Sequence, residues 1–483
     1  MYLGIDLGTS GVRVVSCDSA GVVLAAAEQS YRVSHPQSGW SEQAPDDWIK
    51  ATGQAIAQLR AAQPETLADL RAIGLSGQMH GAVLLDGSDK VLRPCILWND
   101  TRAADEAARL DAIPAFRRLG ANIVFPGFTA PKLAWVAAHE PEVFARLARV
   151  LLPKDYLRLW LTGDHISDMS DAAGTAWLEV AGRCWSDELL SLSGVARTQM
   201  PGLVEGCAAA GMLRGDLARE WGVRGPVVVA GGGGDNAAAA CGVGCVNEGD
   251  GFVSLGTSGV MLVARDSCQP APETAVHTFC HALPDRWVQM GVILAATDCL
   301  NWLARNLGQR PEALAALAGD GLEAPSRALF LPYLSGERTP HNDALIRAAF
   351  VGLDIADTPA DLVRALMQGV AFALRDSLEA LRAAGAAPER LLAIGGGAQS
   401  RYWLDVLATV LDLPIDLPEA GEFGAALGAA RLGIAADTGA APGDIMTPPR
   451  LARSIEPVAH LRETHEETYR RYRNLYPALK ALS

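Results

Sequence analysis

The chain has 483 residues, of which 49% are hydrophobic and 20% charged, and 55 acidic against 41 basic side chains leave a formal net charge of −14. Such a length exceeds one ordinary core and predicts about two to four domains, and the composition excludes disordered and fibrous classes. The acidic balance argues against a nucleic-acid surface, and no run of about 18 apolar residues marks a membrane span. The nine scattered cysteines suit a reducing compartment, and the N-terminus shows no basic stretch leading into an apolar one. A cytoplasmic enzyme or binding protein is therefore expected.

In chain order, the apolar run Tyr2 to Ile5, the turn Gly8 to Gly11 and the apolar pair Val14 and Val15 predict a β-hairpin. Leu70 to Leu85 reads as two short strands around the turn Gly77-Gln78-Met79-His80-Gly81. Ala103 to Leu119 and Lys132 to Val150 have helical patterns. Gly225 to Ala230 reads as a strand that runs into four glycines, followed by Asp235, Asn236 and an alanine-rich helix.

The hexapeptide Leu7 to Val12 then recurs, identical, at Leu255 to Val260, again between apolar runs. Two matching hairpins half a chain apart predict two domains of shared design, divided near Asn247 to Gly251 into residues 1–247 and 248–483. Farther on, Thr358 to Ala384 is a long helical pattern. Leu391 to Ile394 is a strand that meets Gly395-Gly396-Gly397, and helix resumes from about Arg401. Strands alternating with helices predict an α/β fold.

Glycine-rich turns let backbone N–H groups converge on an anion, and three occur here: Gly8 to Gly11, Gly256 to Gly259 and Gly395 to Gly397. No Walker A pattern is present. The Gly231 to Gly234 run does not lead to a suitably placed acid, because Asp250 falls beside the domain division, so a dehydrogenase is disfavoured. Asp6 stands directly before the first turn, where a carboxylate could hold a magnesium ion carried by phosphates, and its counterpart in the second hairpin is Ser254. Asp235 is either the cap of its helix or a general base at the carboxyl end of a strand. Cys241, Cys245, His277, Cys280 and His281 are the residue types of a zinc site, but their spacing departs from the usual ligand pairs and buried thiols are the expected reading.

Along essentially its whole length the sequence resembles the FGGY carbohydrate kinases, of the actin-like (ribonuclease H-like) ATPase fold. Gly4 to Ser10 is similar to the family's first phosphate motif, Gly256 to Gly259 to its second, and Gly395 to Ala398 to its adenosine motif. Phe128 to Trp135 resembles one family signature, and Ala349 to Leu353 with Asp361 to Gln368 the other. The resemblance implies two actin-like domains with a catalytic cleft between them, ATP and Mg²⁺ as cofactors, and a small sugar acceptor. It implies Asp235 as catalytic base with Asn236 beside it, Asp6 near the metal, and Arg13 facing the transferred phosphate.

Gln78 to Gly81 is similar to members that phosphorylate the ketose xylulose, which implies Met79 and His80 at the sugar, framed by Trp98, Asn99 and Asp100. Gly8, Thr9, Ser10, Gly256, Thr257, Ser258, Gly396 and Gly397 are implied at the nucleotide, with Thr297 and Asn301 on its adenine side. Arg401 stands where glycerol kinases carry Asn and is assigned no role in base recognition. A homodimer, a kinase for another ketose or polyol, and a nucleotide-driven regulatory protein of the same fold are all compatible with this reading.

Overall fold

The computed structural model describes residues 1–419 and 424–482. Two seven-stranded mixed sheets organise it. Numbered in chain order, the first holds β1 (Tyr2–Leu7), β2 (Gly11–Cys17), β3 (Val23–Ser30), β4 (Ala72–Gly77), β5 (Ala209–Met212), β6 (Val228–Ala230) and β7 (Gly233–Gly234). The second holds β8 (Gly251–Leu255), β9 (Gly259–Arg265), β10 (His277–Cys280), β11 (Trp287–Ile293), β12 (Leu391–Ile394), β13 (Ile415–Pro418) and β14 (Leu451–Ile455). Their orders are β5-β6-β4-β1-β2-β3, with β7 also on β4, and β10-β11-β9-β8-β12-β13-β14.

The repeated hexapeptide occupies equivalent places in the two sheets. β1 pairs antiparallel with β2, closing on Leu7 opposite Val12, and parallel with β4, where Asp6 lies opposite Ser76. β8 likewise pairs antiparallel with β9, closing on Leu255 opposite Gly259, and parallel with β12, where Ser254 lies opposite Ile394. The apolar strands that flank each turn are buried on both faces, as continuous hydrophobic runs require.

Helices cover the sheets for reasons visible in their sequences. Helix Pro45–Ala62 starts with Pro45 and two acids in its first turn, and buries the stripe Trp48, Thr52, Ala55, Ile56 and Leu59. Helix Pro359–Ala383 opens with a capping box in which the Asp361 carboxylate accepts from the Thr358 hydroxyl at 2.6 Å and its N–H at 2.9 Å. Two expected helices are interrupted. Ala103 to Leu119 breaks at Pro114 into Ala104–Asp111 and Pro114–Gly120. Lys132 to Val150 gives helix Thr129–His139, stops before Pro141, and ends as a strand, Arg149–Leu151, recruited by Val83–Leu85.

One helix from near the C-terminus packs on the first sheet. Gly424–Thr438 lies between β1, β4 and helix Asp235–Val243, with backbones almost touching. A Cβ on Gly4 would fall 1.9 Å from the Ala426 carbonyl, on Gly74 1.7 Å from that of Ala429, and on Gly428 1.7 Å from that of Ala238. The two halves also meet through Asn122, whose side chain donates to the Thr278 carbonyl at 2.8 Å and accepts from its N–H at 2.9 Å. These contacts set where the first turn, Asp235 and the second sheet stand relative to one another. Among the described residues no helix is long and apolar enough to cross a membrane.

Candidate active site

Asp235 is the first residue of helix Asp235–Val243, directly after β7, which pairs with the end of β4 beside the first glycine turn. Its Oδ1 accepts from the N–H of Asn236 at 2.7 Å and from the Asn236 side chain at 2.9 Å. The strand before it is held from behind. Gly234 N–H donates to Ser170 Oγ at 3.1 Å, Ser170 Oγ donates to Asp168 Oδ2 at 2.5 Å, and Arg158 donates to the carbonyl of Gly231. Asp168 and Arg158 belong to a wholly buried ionic cluster with Lys154, Asp155 and Asp171, and Lys154 lies 2.7 Å from Asp168. Charges buried in such a compensated network fix geometry tightly, because losing one partner strands the others.

Electrostatics sets Asp235 apart. Burial, reinforced by the nearby Asp6 charge, pushes its carboxyl up to about 7, against the opposing hydrogen bonds from Asn236. Asp6 is itself raised by burial, although Ser76 Oγ donates to its Oδ1 at 2.9 Å and Arg13 lies near enough to favour the charged form. Two carboxyls held this way flank a place where cationic charge would be welcome. Among the described residues its carboxylate accepts from Ser76 alone, so Asp6 fits a hard cation such as magnesium, which takes oxygen ligands and keeps waters. Arg13 is tied to Glu28 across the strand pair at 2.5 Å.

The first glycine turn is pinned by side chains from three directions. Tyr31 Oη donates to the Gly8 carbonyl at 2.5 Å and the Tyr31 N–H to the Ser10 carbonyl at 3.1 Å. Gln43 Nε2 donates to the Thr9 carbonyl at 2.6 Å, while Trp98 Nε1 donates to Thr9 Oγ1 at 2.9 Å. Gln78 joins them, receiving from Thr9 Oγ1 at 3.3 Å and donating to Gln43 Oε1 at 3.0 Å. The Gly8 N–H closes the turn on the Gly11 carbonyl at 3.0 Å, and fixing the carbonyls outward leaves the N–H groups of Thr9 and Ser10 to face an anion.

The turn Gly77 to Gly81 supplies the opposite wall. Met79 is buried against Gly234, whose absent Cβ would stand 2.8 Å from Met79 Cγ. His80 adopts φ 69°, stacks on Phe128 with centroids 4.6 Å apart, and places Nδ1 2.6 Å from the Gly174 carbonyl. A carbonyl only accepts, so Nδ1 donates and Nε2 keeps its lone pair for the cleft. Burial holds the ring neutral, its pKa pulled down to about 3. The His80 carbonyl accepts from Lys132 Nζ at 2.9 Å and Thr129 Oγ1 at 3.1 Å, giving the Phe128 to Trp135 signature a structural task.

Of the remaining candidates, Trp98 and Asn99 stand exposed near the first turn. Asp100 requires a correction. It is fully buried, and its two oxygens receive Ser41 N–H, Arg102 N–H and the Arg102 guanidinium at 2.6 to 3.1 Å, so it holds the 98–102 turn and offers no oxygen to a sugar. On the other half, a cavity of about 590 Å³ is lined by Thr297, Asn301, Gly396, Gly397, Arg401 and their neighbours. Thr297 spends its hydroxyl on the Gly256 carbonyl at 2.7 Å, tying the second turn of Gly256, Thr257 and Ser258 to helix Thr297–Asn306. Arg401 pairs with Asp405 at 2.9 Å. Of the residues considered for zinc, His281 places Nε2 3.1 Å from the Cys245 carbonyl and Cys280 places Sγ 3.4 Å from that of Val180, and all five are buried.

Residues 1–242 match the model of the FGGY family of carbohydrate kinases, N-terminal domain, and residues 251–436 that of its C-terminal domain. The chain belongs to the FGGY family of carbohydrate kinases. This FGGY kinase is 46% identical to the xylulose kinase of Escherichia coli (strain K12) over 485 residues, covering 100% of both chains. It superposes on the crystal structure of a "xyloylose kinase" from Brucella ovis with TM-score 0.98 at 58% identity, over 100% of each chain. Xylulose kinase from Rhodospirillum rubrum gives TM-score 0.90 at 29% identity, covering 100% of this chain and 99% of that one. The two-domain α/β architecture of this family agrees with the fold expected from the repeat.

Sequence reasoning did not find Tyr31, Gln43, Ser170 or Gly174. Each acts through contacts with residues remote in the chain, and none sits in a motif. The one available signal was compositional: a polar Gln43 beside buried Trp48 at the start of an amphipathic helix, where Trp48 Nε1 donates to Gln43 Oε1 at 3.0 Å.

Proposed function

We propose that this chain transfers the γ-phosphoryl group of ATP to the terminal hydroxyl of D-xylulose, giving D-xylulose 5-phosphate and ADP. The observation that carries the reading is Asp235, a carboxyl raised to about 7 between the pinned phosphate turn and the Met79-His80 wall. A base with a pKa near the working pH combines a sufficient ionised fraction with useful proton affinity. The xylulose kinases among the relatives support the choice of acceptor.

In this mechanism Asp235 accepts the hydroxyl proton as the acceptor oxygen bonds to the γ-phosphorus and the bond to the ADP oxygen breaks. Asn236 orients the carboxylate. The N–H groups of Thr9 and Ser10, in the turn that Gly8 closes, with those of Gly256, Thr257 and Ser258 from the other half, meet the phosphoryl oxygens, and Arg13 adds positive charge. Magnesium, when bound, would neutralise charge on those oxygens, and Asp6 is the residue that would hold it. Thr297, Asn301, Gly396 and Gly397 would seat the adenosine in the 590 Å³ cavity, a size ordinary for such ligands. Met79, His80, Trp98, Asn99 and Asn236 would take the sugar. Positioning and electrostatics do most of the work in phosphoryl transfer, which suits two rigid turns facing one cleft.

The division into a sugar-binding half, residues 1–247, and a nucleotide-binding half, residues 248–483, is part of this proposal. Cytoplasmic location and a homodimer follow from the family resemblance, and sedimentation of the purified protein checks the latter. The functional test is ADP formation with ATP and magnesium against D-xylulose, D-ribulose, L-ribulose, L-xylulose, glycerol and no acceptor. D-xylulose should stimulate it most. Preference for another acceptor discards the xylulose assignment while keeping the kinase, and acceptor-independent hydrolysis discards both.

A further inference from the structure

Most arginines that reach the interior are clamped. Arg102 is held by Asp100 and Glu42, Arg158 by Asp155, Arg183 by Glu205, Arg265 by Glu248, and Arg431 by three backbone carbonyls. Arg338 is different. Among the described residues its guanidinium has no hydrogen bond and no ion pair, and its one close partner is the ring of Phe125, 4.4 Å below it. A guanidinium is a rigid fork of five donors, and that of Arg338, on a half-buried residue, spends none of them on the described part of the chain.

The chain around Arg338 is built to hold it still. Glu337 exchanges backbone hydrogen bonds with Asp343 at 2.8 Å each way, and Thr339 donates its N–H to the Val292 carbonyl and accepts the Val292 N–H on Oγ1, both at 3.0 Å. The Glu337 carboxylate is occupied by the N–H groups of Arg338 and Leu294 at 2.7 and 3.0 Å, and burial raises it to about 8, so at neutral pH it compensates the guanidinium weakly. Burial pulls Arg338 down to about 10, which leaves it a cation.

Its position is equally specific. The charge of Arg338 acts on His80 and on His277, whereas the charge acting on Asp235 is that of Asp6. Phe125, beneath the guanidinium, lies 5.6 Å from Phe128, the ring on which His80 stacks. Arg338 therefore stands, in the second half of the chain, on the aromatic stack that carries His80.

We infer that Arg338 is a specificity-determining residue for the acceptor, donating its fork to the ketone oxygen of a 2-ketose while His80 Nε2 accepts from the adjacent hydroxyl. The inference rests on the sugar site proposed above. The chemistry matches atom for atom: a ketone oxygen only accepts and a guanidinium only donates. A polyol offers a hydroxyl at that carbon, whose proton would find no acceptor on Arg338, so the pair discriminates ketose from polyol. Because the acceptor would bridge Arg338 and His80, it would also join the two halves of the chain.

The test compares wild type, Arg338→Met, Arg338→Lys and Asp235→Asn. Losing a charge-assisted hydrogen bond pair should lower kcat/KM for D-xylulose about 10- to 100-fold in Arg338→Met, mostly through KM. The KM for ATP should stay within about 2-fold, and Ki for xylitol as competitive inhibitor within about 3-fold, so the preference for ketose over polyol collapses. Arg338→Lys, which keeps the charge without the fork, should fall between. An unchanged KM for D-xylulose, or equal losses for D-xylulose, xylitol and ATP, overturns the inference. Should Arg338→Met fail to fold, phenylglyoxal labelling of the wild-type enzyme decides: D-xylulose should protect Arg338, and labelling that D-xylulose does not slow overturns it. An inactive Asp235→Asn beside a normal Arg338→Met discards this inference alone, whereas an active Asp235→Asn discards the site on which it rests.

Discussion

Replacing Asp235 by Asn changes one proton and one charge while keeping the acceptor for the Asn236 N–H, and the structure sets the size of two consequences. The first is catalytic. Loss of a positioned base costs about 10²- to 10⁴-fold in kcat. In the wild type, kcat/KM should climb with pH through about 7, falling about tenfold per unit below it, because the carboxyl must be ionised to act.

The second consequence is on stability, with the opposite sign. The folded-state pKa of about 7 exceeds the ordinary aspartate value of 3.8, so the native state binds the proton more tightly than the unfolded chain. Stability is therefore lost as pH rises from about 4 to 7, and the loss is complete above 7. A shift of about 3 units corresponds to about 4 kcal/mol at full conversion, and an order of 2 kcal/mol once water in the cleft is allowed for. Asp235→Asn should thus be more stable than wild type by about 2 kcal/mol at pH 8, with the gain vanishing near pH 4. Coupled-assay turnover and denaturant melts at pH 8 and pH 5 read both. Near-normal turnover, or a variant less stable than wild type at pH 8, refutes the reasoning.

Other perturbations test the supporting geometry. Gly174→Ala would place a Cβ 2.6 Å from the His80 ring and 2.9 Å from Met79 Cε, so KM for the sugar should rise about tenfold or more with KM for ATP little changed in steady-state assays. Gly74→Ala puts a Cβ 1.7 Å from the Ala429 carbonyl, a backbone obstacle that cannot rotate away, and should cost about 3 kcal/mol or more, measured as a lowered denaturant midpoint or insoluble expression. Asn122→Ala strands the buried Thr278 N–H and carbonyl and should lower stability by about 2–4 kcal/mol in the same melts.

The most legible part of the molecule was its repeat. An identical hexapeptide bounded by apolar runs can be little else than a hairpin used twice, and both copies fall in equivalent strands with Asp6 and Ser254 in matching places. The strand Leu391–Ile394, the glycines after it and the helix from Arg401 were likewise readable, because period, glycine and cap all lie within a few residues. Local signals were less informative between Lys132 and Val150, where a short strand formed because Val83–Leu85 offered it an edge. Asp100 shows the same limit. The family resemblance implied it at the sugar with Trp98, but Arg102 and Ser41 take its oxygens, and no motif reports on that.

The sequence by itself therefore determined the α/β class, the duplicated design, the phosphate turns and the position of Asp235 at a strand-to-helix turn. These follow from chemistry contained in short stretches of chain. Only the tertiary structure decided that Asp235 would be basic enough to matter, since its pKa comes from burial and from Asp6, 229 residues earlier in the chain. It also decided that helix Gly424–Thr438 would pack on the first sheet, and that Arg338 would stand on the aromatic stack that carries His80. Burial, the charges felt across the cleft and backbone-to-backbone contacts are properties of position in space, and a linear pattern carries them only once the chain has folded.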